Sequence, residues 1–308
     1  MKRLFSLFTS LISMALLTAC DSLVKEVDPS RTPSTESQFV VNAYISPQDT
    51  VLAVLVTRSR PVFGPSANID PQTVSNVAVT LSDGSRSVPL PFSEKDGFHR
   101  ADARLLPIGA GQTYTLTVTA PGGERLTART TVPQPVPLEE VKLDSTENTN
   151  RFGPGGYSFF LQAFWRDAPG VKNYYRLAGN LFYTQRYTTG QPPREQSVNN
   201  VTSFGFGNGG LVTDENRDGT RISSRRQQIY LPSMSVNGQP PTFPSPVSYI
   251  IYLLNVDENY YRYHESAERQ DNVNDNPFAE PVLVQGNIEG GLGCFGSYNR
   301  TNFSGRLR

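Results

Sequence analysis

Residues 113–119, Thr-Tyr-Thr-Leu-Thr-Val-Thr, alternate without a break: Tyr114, Leu116 and Val118 share one side and four threonines the other. Successive side chains of an extended chain point to opposite faces, so this run buries its apolar set only as a strand in a sheet. The pattern recurs nearby. Phe39, Val41, Ala43 and Ile45 share a face until Pro47 ends the strand. Val77, Val79 and Leu81 alternate with Asn76, Ala78 and Thr80, and Asp83-Gly84 supplies the positive φ of a tight hairpin, so Val88 and Leu90 return beside them. Pro121-Gly122-Gly123 turns the chain after Thr119, and Leu126, Ala128, Thr130 and Val132 pair back. Val51–Val56 is a continuous apolar run, as expected of a strand buried on both faces. About seven short strands without helical periodicity over residues 37–133 predict an immunoglobulin-like β-sandwich.

Pro133-Gln134-Pro135-Val136-Pro137 marks the end of that unit, and residues 134–137 read as a semi-rigid proline-rich linker. A larger β-rich C-terminal domain is expected over 138–308. Tyr157, Phe159, Leu161, Ala163 and Trp165 line one face of a long strand, which makes Trp165 a core residue rather than a sugar platform. Val171–Tyr187 forms a second long element with a bend expected at Gly179, and Tyr249–Leu254 a buried strand. Residues 190–240, rich in Gly, Asn, Gln and Pro, are expected to form long loops broken by short strands, where a binding surface would sit. One short α-helix is predicted, about Asp257 to Gln270: Asn255 with Glu258 resembles a capping box, and Val256, Tyr260, Tyr263 and Ala267 follow a helical period. The fold class is all-β. Gly 25, Pro 24, Tyr 14 and Phe 17 agree with a strand-and-turn chain.

The chain opens on Lys2-Arg3 and an apolar run from Leu4 to Leu17, too short to span a bilayer comfortably and followed by no stop-transfer pattern. It reads as a signal peptide over 1–19. It ends in Leu17-Thr18-Ala19-Cys20, which has the form of a lipobox, whose cysteine thiol takes a diacylglycerol before cleavage leaves it first in the mature chain. Cys20 is therefore the expected lipid attachment site. Residues 20–36, without period and carrying Pro29, Ser30, Pro33 and Ser34, read as a flexible tether reaching on the order of 20 Å. With Cys20 acylated, Cys294 is the one remaining thiol, so no intrachain disulfide forms and Cys294 is expected to be buried.

The charges balance at 28 basic and 28 acidic residues, and without Lys2 and Arg3 the basic count is 26. Nucleic-acid binding needs a basic field that this chain lacks. Gly291-Leu292-Gly293-Cys294-Phe295-Gly296 fits G-x-G-x-x-G, but no acidic residue follows Glu289 and no helix is expected to open on it, so no dinucleotide or other cofactor is assigned. Asp214-Glu215-Asn216-Arg217-Asp218-Gly219 is D-x-N-x-D-G, the first half of a calcium loop. Asp214, Asn216 and Asp218 are thus a candidate Ca²⁺ site, although Arg225 stands where the twelfth-position carboxylate belongs and any hairpin turn uses the same residues. His99 and His264 have no partner at metal spacing, so no zinc site and no catalytic residues are assigned.

Several of these stretches together resemble a known family. They are Gln38-Phe39-Val40-Val41-Asn42-Ala43-Tyr44-Ile45, Val74-Ser75-Asn76-Val77-Ala78-Val79-Thr80-Leu81, Gly111-Gln112-Thr113-Tyr114-Thr115-Leu116 and Thr131-Val132-Pro133-Gln134-Pro135-Val136-Pro137. Asn276-Pro277-Phe278-Ala279-Glu280-Pro281-Val282 and Asn287-Ile288-Glu289-Gly290-Gly291-Leu292-Gly293-Cys294-Phe295-Gly296 complete them. The chain resembles an uncharacterised Bacteroidota lipoprotein family, domain-of-unknown-function family forty-two forty-nine, over nearly its whole length. The resemblance implies an outer-membrane lipoprotein whose gene often lies near TonB-dependent receptor genes, and brings no activity. The expectation is a non-enzymatic cell-envelope lipoprotein, lipid-anchored on the periplasmic or surface side, binding a protein partner or nutrient near a receptor-like transporter. A structural or adhesive surface module is the alternative, and a carbohydrate-active or peptide-cleaving enzyme a third reading.

Overall fold

The computed structural model describes residues 37–59, 73–148, 156–190, 192, 194–231, 247–273 and 282–307. The signal peptide, Cys20, the tether and Asn276-Pro277-Phe278 lie outside them. The described residues between 38 and 58 and between 73 and 307 belong to one compact unit. No helix among the described residues is long and apolar enough to cross a membrane.

The first eight strands are β1 (Phe39–Ile45), β2 (Val51–Arg58), β3 (Ala78–Ser82), β4 (Ser87–Pro89), β5 (Phe92–Ser93), β6 (Phe98–Asp102), β7 (Thr113–Thr119) and β8 (Arg125–Thr131). They pair as β1-β2-β6-β5 in one sheet and β4-β3-β7-β8 in another. That is the immunoglobulin order, A-B-E-D against C′-C-F-G. Tyr114, second in β7, supplies the fold's tyrosine corner. Its hydroxyl accepts from Gly109 N at 2.8 Å and lies 3.1 Å from Pro107 O. The alternation seen in the sequence places Val41, Leu52, Val79, Leu81, Leu116 and Leu126 in one core. β2 departs from its reading: it alternates, with Leu55 exposed, because only one of its faces meets the opposing sheet.

The rest of the chain adds β9 (Leu138–Asn148), β10 (Gly156–Arg166), β11 (Tyr174–Thr189), β12 (Arg194–Gly205), β13 (Leu211–Thr213), β14 (Arg221–Ser223), β15 (Gln227–Ile229), β16 (Val247–Val256), helix α1 (Glu258–Val273) and β17 (Leu292–Leu307). β17 joins the two halves. Its first part, Leu292–Ser297, runs parallel to β1, and its second part, Tyr298–Leu307, antiparallel to β16. The result is one nine-stranded sheet containing β12-β11-β16-β17-β1-β2-β6-β5. The first sandwich therefore includes a strand that lies outside residues 37–133. Residues 132–137 are held against that sheet: Pro133 O, Gln134 O and Val136 O accept from Asn299 Nδ2, Asn255 Nδ2 and Thr301 Oγ1.

Along β17, Phe295 joins the first core while Phe303 and Leu307 join a second, built from Leu161, Ala163, Trp165, Tyr175, Leu177 and Ile251. These β17 residues share parity, so both cores lie on one face of the long sheet, and Tyr298 on the opposite face packs with Tyr174, Val256 and Tyr260 near α1. Trp165 is fully buried, edge-on to Tyr175 at 5.4 Å. Gly179 is not a bend: the Phe204 ring occupies the space a Cβ would need. Residues 194–205, expected within loops, are instead paired along their whole length with β11. Both faces of that hairpin strand meet water, so no alternation marked it.

Candidate functional site

β10 ends at Arg166, and Asp167-Ala168-Pro169-Gly170 turns the chain beside the turn 214–219. Asp167, Asp214 and Asp218 converge there, each offering one oxygen within 4.8 Å of the others. Asp167 and Asp214 are buried. Their main duty is to hold backbone. Asp167 Oδ2 accepts from Gly219 N at 2.8 Å and Oδ1 from the buried Tyr175 hydroxyl at 2.5 Å. Asp214 Oδ2 accepts from Asn173 N at 2.7 Å, and Asp218 Oδ1 from Gly170 N at 2.8 Å. Burial, and next the Asp167 carboxylate, push the Tyr175 phenol upward, so the hydroxyl stays a donor. Asn216 adopts φ 60, the left-handed conformation that Asn tolerates in turns. An open pocket of about 380 Å³ beside them is lined by Gly170, Val171, Lys172, Asp214, Glu215, Asn216 and Asp218.

Hard carboxylate oxygens at this spacing suit a divalent cation such as Ca²⁺. The predicted set is partly assembled: Asp214 and Asp218 meet, Asn216 lines the pocket, and Asp167 is the member that sequence reasoning missed. Its signal was an Asp opening a Pro-Gly turn, which pairs with the distant 214–219 turn only once β10 and β11 are in place. The bonds above describe a clamp between two turns. Asp167→Ala should lower stability by roughly 2–4 kcal/mol in urea unfolding, because it orphans the buried Tyr175 hydroxyl and the Gly219 amide together.

A second cluster anchors α1. The N-cap is Asp257, not Asn255; Oδ1 accepts from Tyr260 N at 2.7 Å. Oδ2 accepts from Ser297 N at 2.8 Å and from the hydroxyl of Thr130 on β8. Asn255 instead donates its Nδ2 to Gln134 O, and its buried Oδ1 accepts from no helix amide. Burial, against several bonds that favour the charged form, pushes the Asp257 carboxyl up to about 6. On the helix, His264 stacks with Tyr44 and Tyr260 at 5.4 and 4.4 Å, and burial, then Arg176, pushes it down to about 4. Cys294 is fully buried with its Sγ 3.7 Å from Asn259 O, and burial, then the Asp257 charge, push the thiol far up. A thiol so held is a packing group and a poor nucleophile. His99 is equally structural, its ring nitrogens 3.3 and 3.0 Å from Leu90 O and Val74 O.

The third feature is the glycine-rich run before β17. Asn287 mimics a neighbouring strand: its amide donates to Phe295 O at 2.9 Å and accepts from Phe295 N at 2.8 Å. A Cβ on Gly291 would meet Leu126 Cδ2 at 2.3 Å and Phe39 O at 2.8 Å, and one on Gly293, at φ +107, would meet Val41 O at 2.1 Å. The run is a close crossing of β17 over β1 and β8, not a phosphate loop. A family model described as domain of unknown function (DUF4249) matches residues 24–304. The chain belongs to this family. No curated protein matches it. In this DUF4249 chain the matched span contains the first sandwich, the second core, α1, the acidic clamp and the Asn287–Gly293 crossing, whereas Cys20 precedes it.

Proposed function

We propose that this DUF4249 protein is a lipid-anchored, non-enzymatic component of the cell envelope, held to the outer membrane through Cys20. Its β-folded body binds a protein partner or nutrient beside a TonB-dependent receptor-like transporter. The observation that carries the reading is Leu17-Thr18-Ala19-Cys20 at the end of an apolar run, followed at residue 24 by the family match. A chain acylated there starts its tether at the membrane surface and places its family-specific body immediately beyond. One acyl chain binds a bilayer only marginally, so stable anchoring needs the two chains of a diacylglyceryl group. Charge supports a partner other than nucleic acid, since basic and acidic residues balance.

Expression of the full precursor with labelled palmitate in a bacterial host tests the anchor. The parent should carry label and enter the detergent phase, and Cys20→Ser should lose both. Label that persists in Cys20→Ser overturns the assignment. Purification from detergent-solubilised native membranes tests the partner: recovery without any transporter or envelope protein counts against the accessory role.

A further inference from the structure

An exposed sheet edge offers unpaired N–H and C=O groups to any other strand, and folded proteins blunt such edges with shortness, charge, proline or a cover. Nearly every edge among the described residues is treated this way. β5 has two residues, and β4 has three and ends in Pro89. β13, β14 and β15 have three each. β8 is covered: Thr127 pairs with Glu289, and Asn259 and Asn287 donate to Arg129 O. The free side of early β17 is filled by Asn287 and Asp257. β9 is long but carries Glu139, Glu140, Lys142 and Asp144.

β17 beyond Ser297 pairs only with β16, but it carries Arg300 and Arg306, and Arg300 N donates to Gln48 Oε1. β12 is the exception. It has 12 residues in unbroken register with β11 and ends the nine-stranded sheet. Its stretch Gln196–Gly205 contains no ionisable side chain, no proline and no bulge. Val198 and Val201 are 44% and 61% exposed. Val198, Val201 and Phe204 are spaced by three and symmetric about Val201. A two-fold axis normal to a sheet makes two copies of a strand antiparallel and keeps their faces, so a residue can oppose itself. Centred on Val201, one register sets Val201 against Val201, Val198 against Phe204 and Asn199 against Ser203, while Arg194 and Glu195 fall outside the overlap. Apolar and β-branched cross-strand pairs of this kind stabilise a sheet, and no charge is desolvated.

We propose that β12 is a self-association edge, pairing antiparallel with β12 of a second copy of this chain to continue the sheet across a two-fold interface. The contact is isologous, so it closes at a dimer and leaves no open edge to propagate. It involves neither Cys20 nor the acidic clamp, and stands or falls apart from the envelope role.

The test uses the full mature chain in detergent. Sedimentation over a wide concentration range should show a monomer–dimer equilibrium. Val201→Lys, which sets two lysines opposite each other, should weaken it on the order of tenfold or more while leaving unchanged the melting temperature read at concentrations where the parent is monomeric. Val201→Cys treated with a short thiol crosslinker should give a dimer whose peptide map contains a 201–201 linkage, and Ser145→Cys on β9 should not. A monomer at every concentration, a dimer indifferent to Val201→Lys, or 201–201 linkage no greater than that at 145 overturns the proposal. Crosslinking of residue 201 to a different protein alone also overturns it, in favour of a foreign strand on the same edge.

Discussion

Gly293→Ala should destabilise the protein by on the order of 4 kcal/mol, summing left-handed backbone strain with overpacking. Gly293 sits at φ +107, and its missing Cβ would lie 2.1 Å from Val41 O and 2.8 Å from Val41 C. Those are backbone atoms of β1 inside a parallel pairing, where Val41 lies opposite Gly293, so neither side can swing away as a flexible side chain could. Relief requires prising β17 from β1 between Leu292 and Ser297, where Phe295 enters the first core. Gly84→Ala is the matched control: φ is +90 there, with nothing within 4 Å. It carries the conformational cost alone, about 1–2 kcal/mol. Urea midpoints of the two variants separate the contributions, and equal losses would refute the crossing as the reason for glycine at 293.

Asp257→Asn should change the shape of stability against pH. Asp257 holds its proton to about 6 when folded and to 3.8 when unfolded, so the folded chain binds more protons in that window and its stability falls as pH rises through it. His264 runs the other way. Its folded value near 4 against 6.5 unfolded makes its stabilisation complete above 6.5 and lost as pH falls toward 4. In the parent the two slopes oppose each other between pH 4 and 6. The amide that Asp257→Asn introduces does not titrate; its one oxygen still caps the helix, while its Nδ2 stands where Oδ2 accepts from Ser297 N and the Thr130 hydroxyl. Relative to the parent, Asp257→Asn should gain roughly 2–3 kcal/mol on going from pH 4 to pH 7, and His264→Gln should lose a similar amount. Chemical denaturation at a series of pH values reads both differences, and a variant curve parallel to the parent's would remove that residue from the account. Asp257→Ala should be less stable than Asp257→Asn, since the cap on Tyr260 N is lost as well as the acceptor for Ser297 and Thr130.

The first sandwich could be read from residues because its strands each bury one face. Phe39–Ile45 and Thr113–Thr119 announce themselves by alternation, and Asp83-Gly84 and Pro121-Gly122-Gly123 by turn chemistry. What was invisible is pairing over distance. Nothing in Leu292–Ser297 states that its neighbour is Val40–Ile45, because parallel register is set by packing and not by a turn. β12 escaped notice for a different reason: a strand wet on both faces has no apolar period to read. The helical period marks α1 to within a few residues, but Asn255 and Asp257 are both capping residue types, and only the fold decides which carbonyl or amide each one faces. The acidic clamp was half visible. Asp214, Asn216 and Asp218 form a local motif, whereas Asp167 joins them through the packing of two turns.

The pairing of β1 with β17 also governs when the molecule can be completed. Residues 40–45 receive their parallel neighbour from residues 292–297, so the second side of β1 is satisfied only once the chain has been made that far. Contacts between such distant segments form late and slow the search for the native state. A chain made from its N-terminus has only the β2 side of its earliest strand paired until residues 292–297 follow. A product cut short before residue 292 would leave one side of residues 40–45 as an open sheet edge, a template for pairing with another chain.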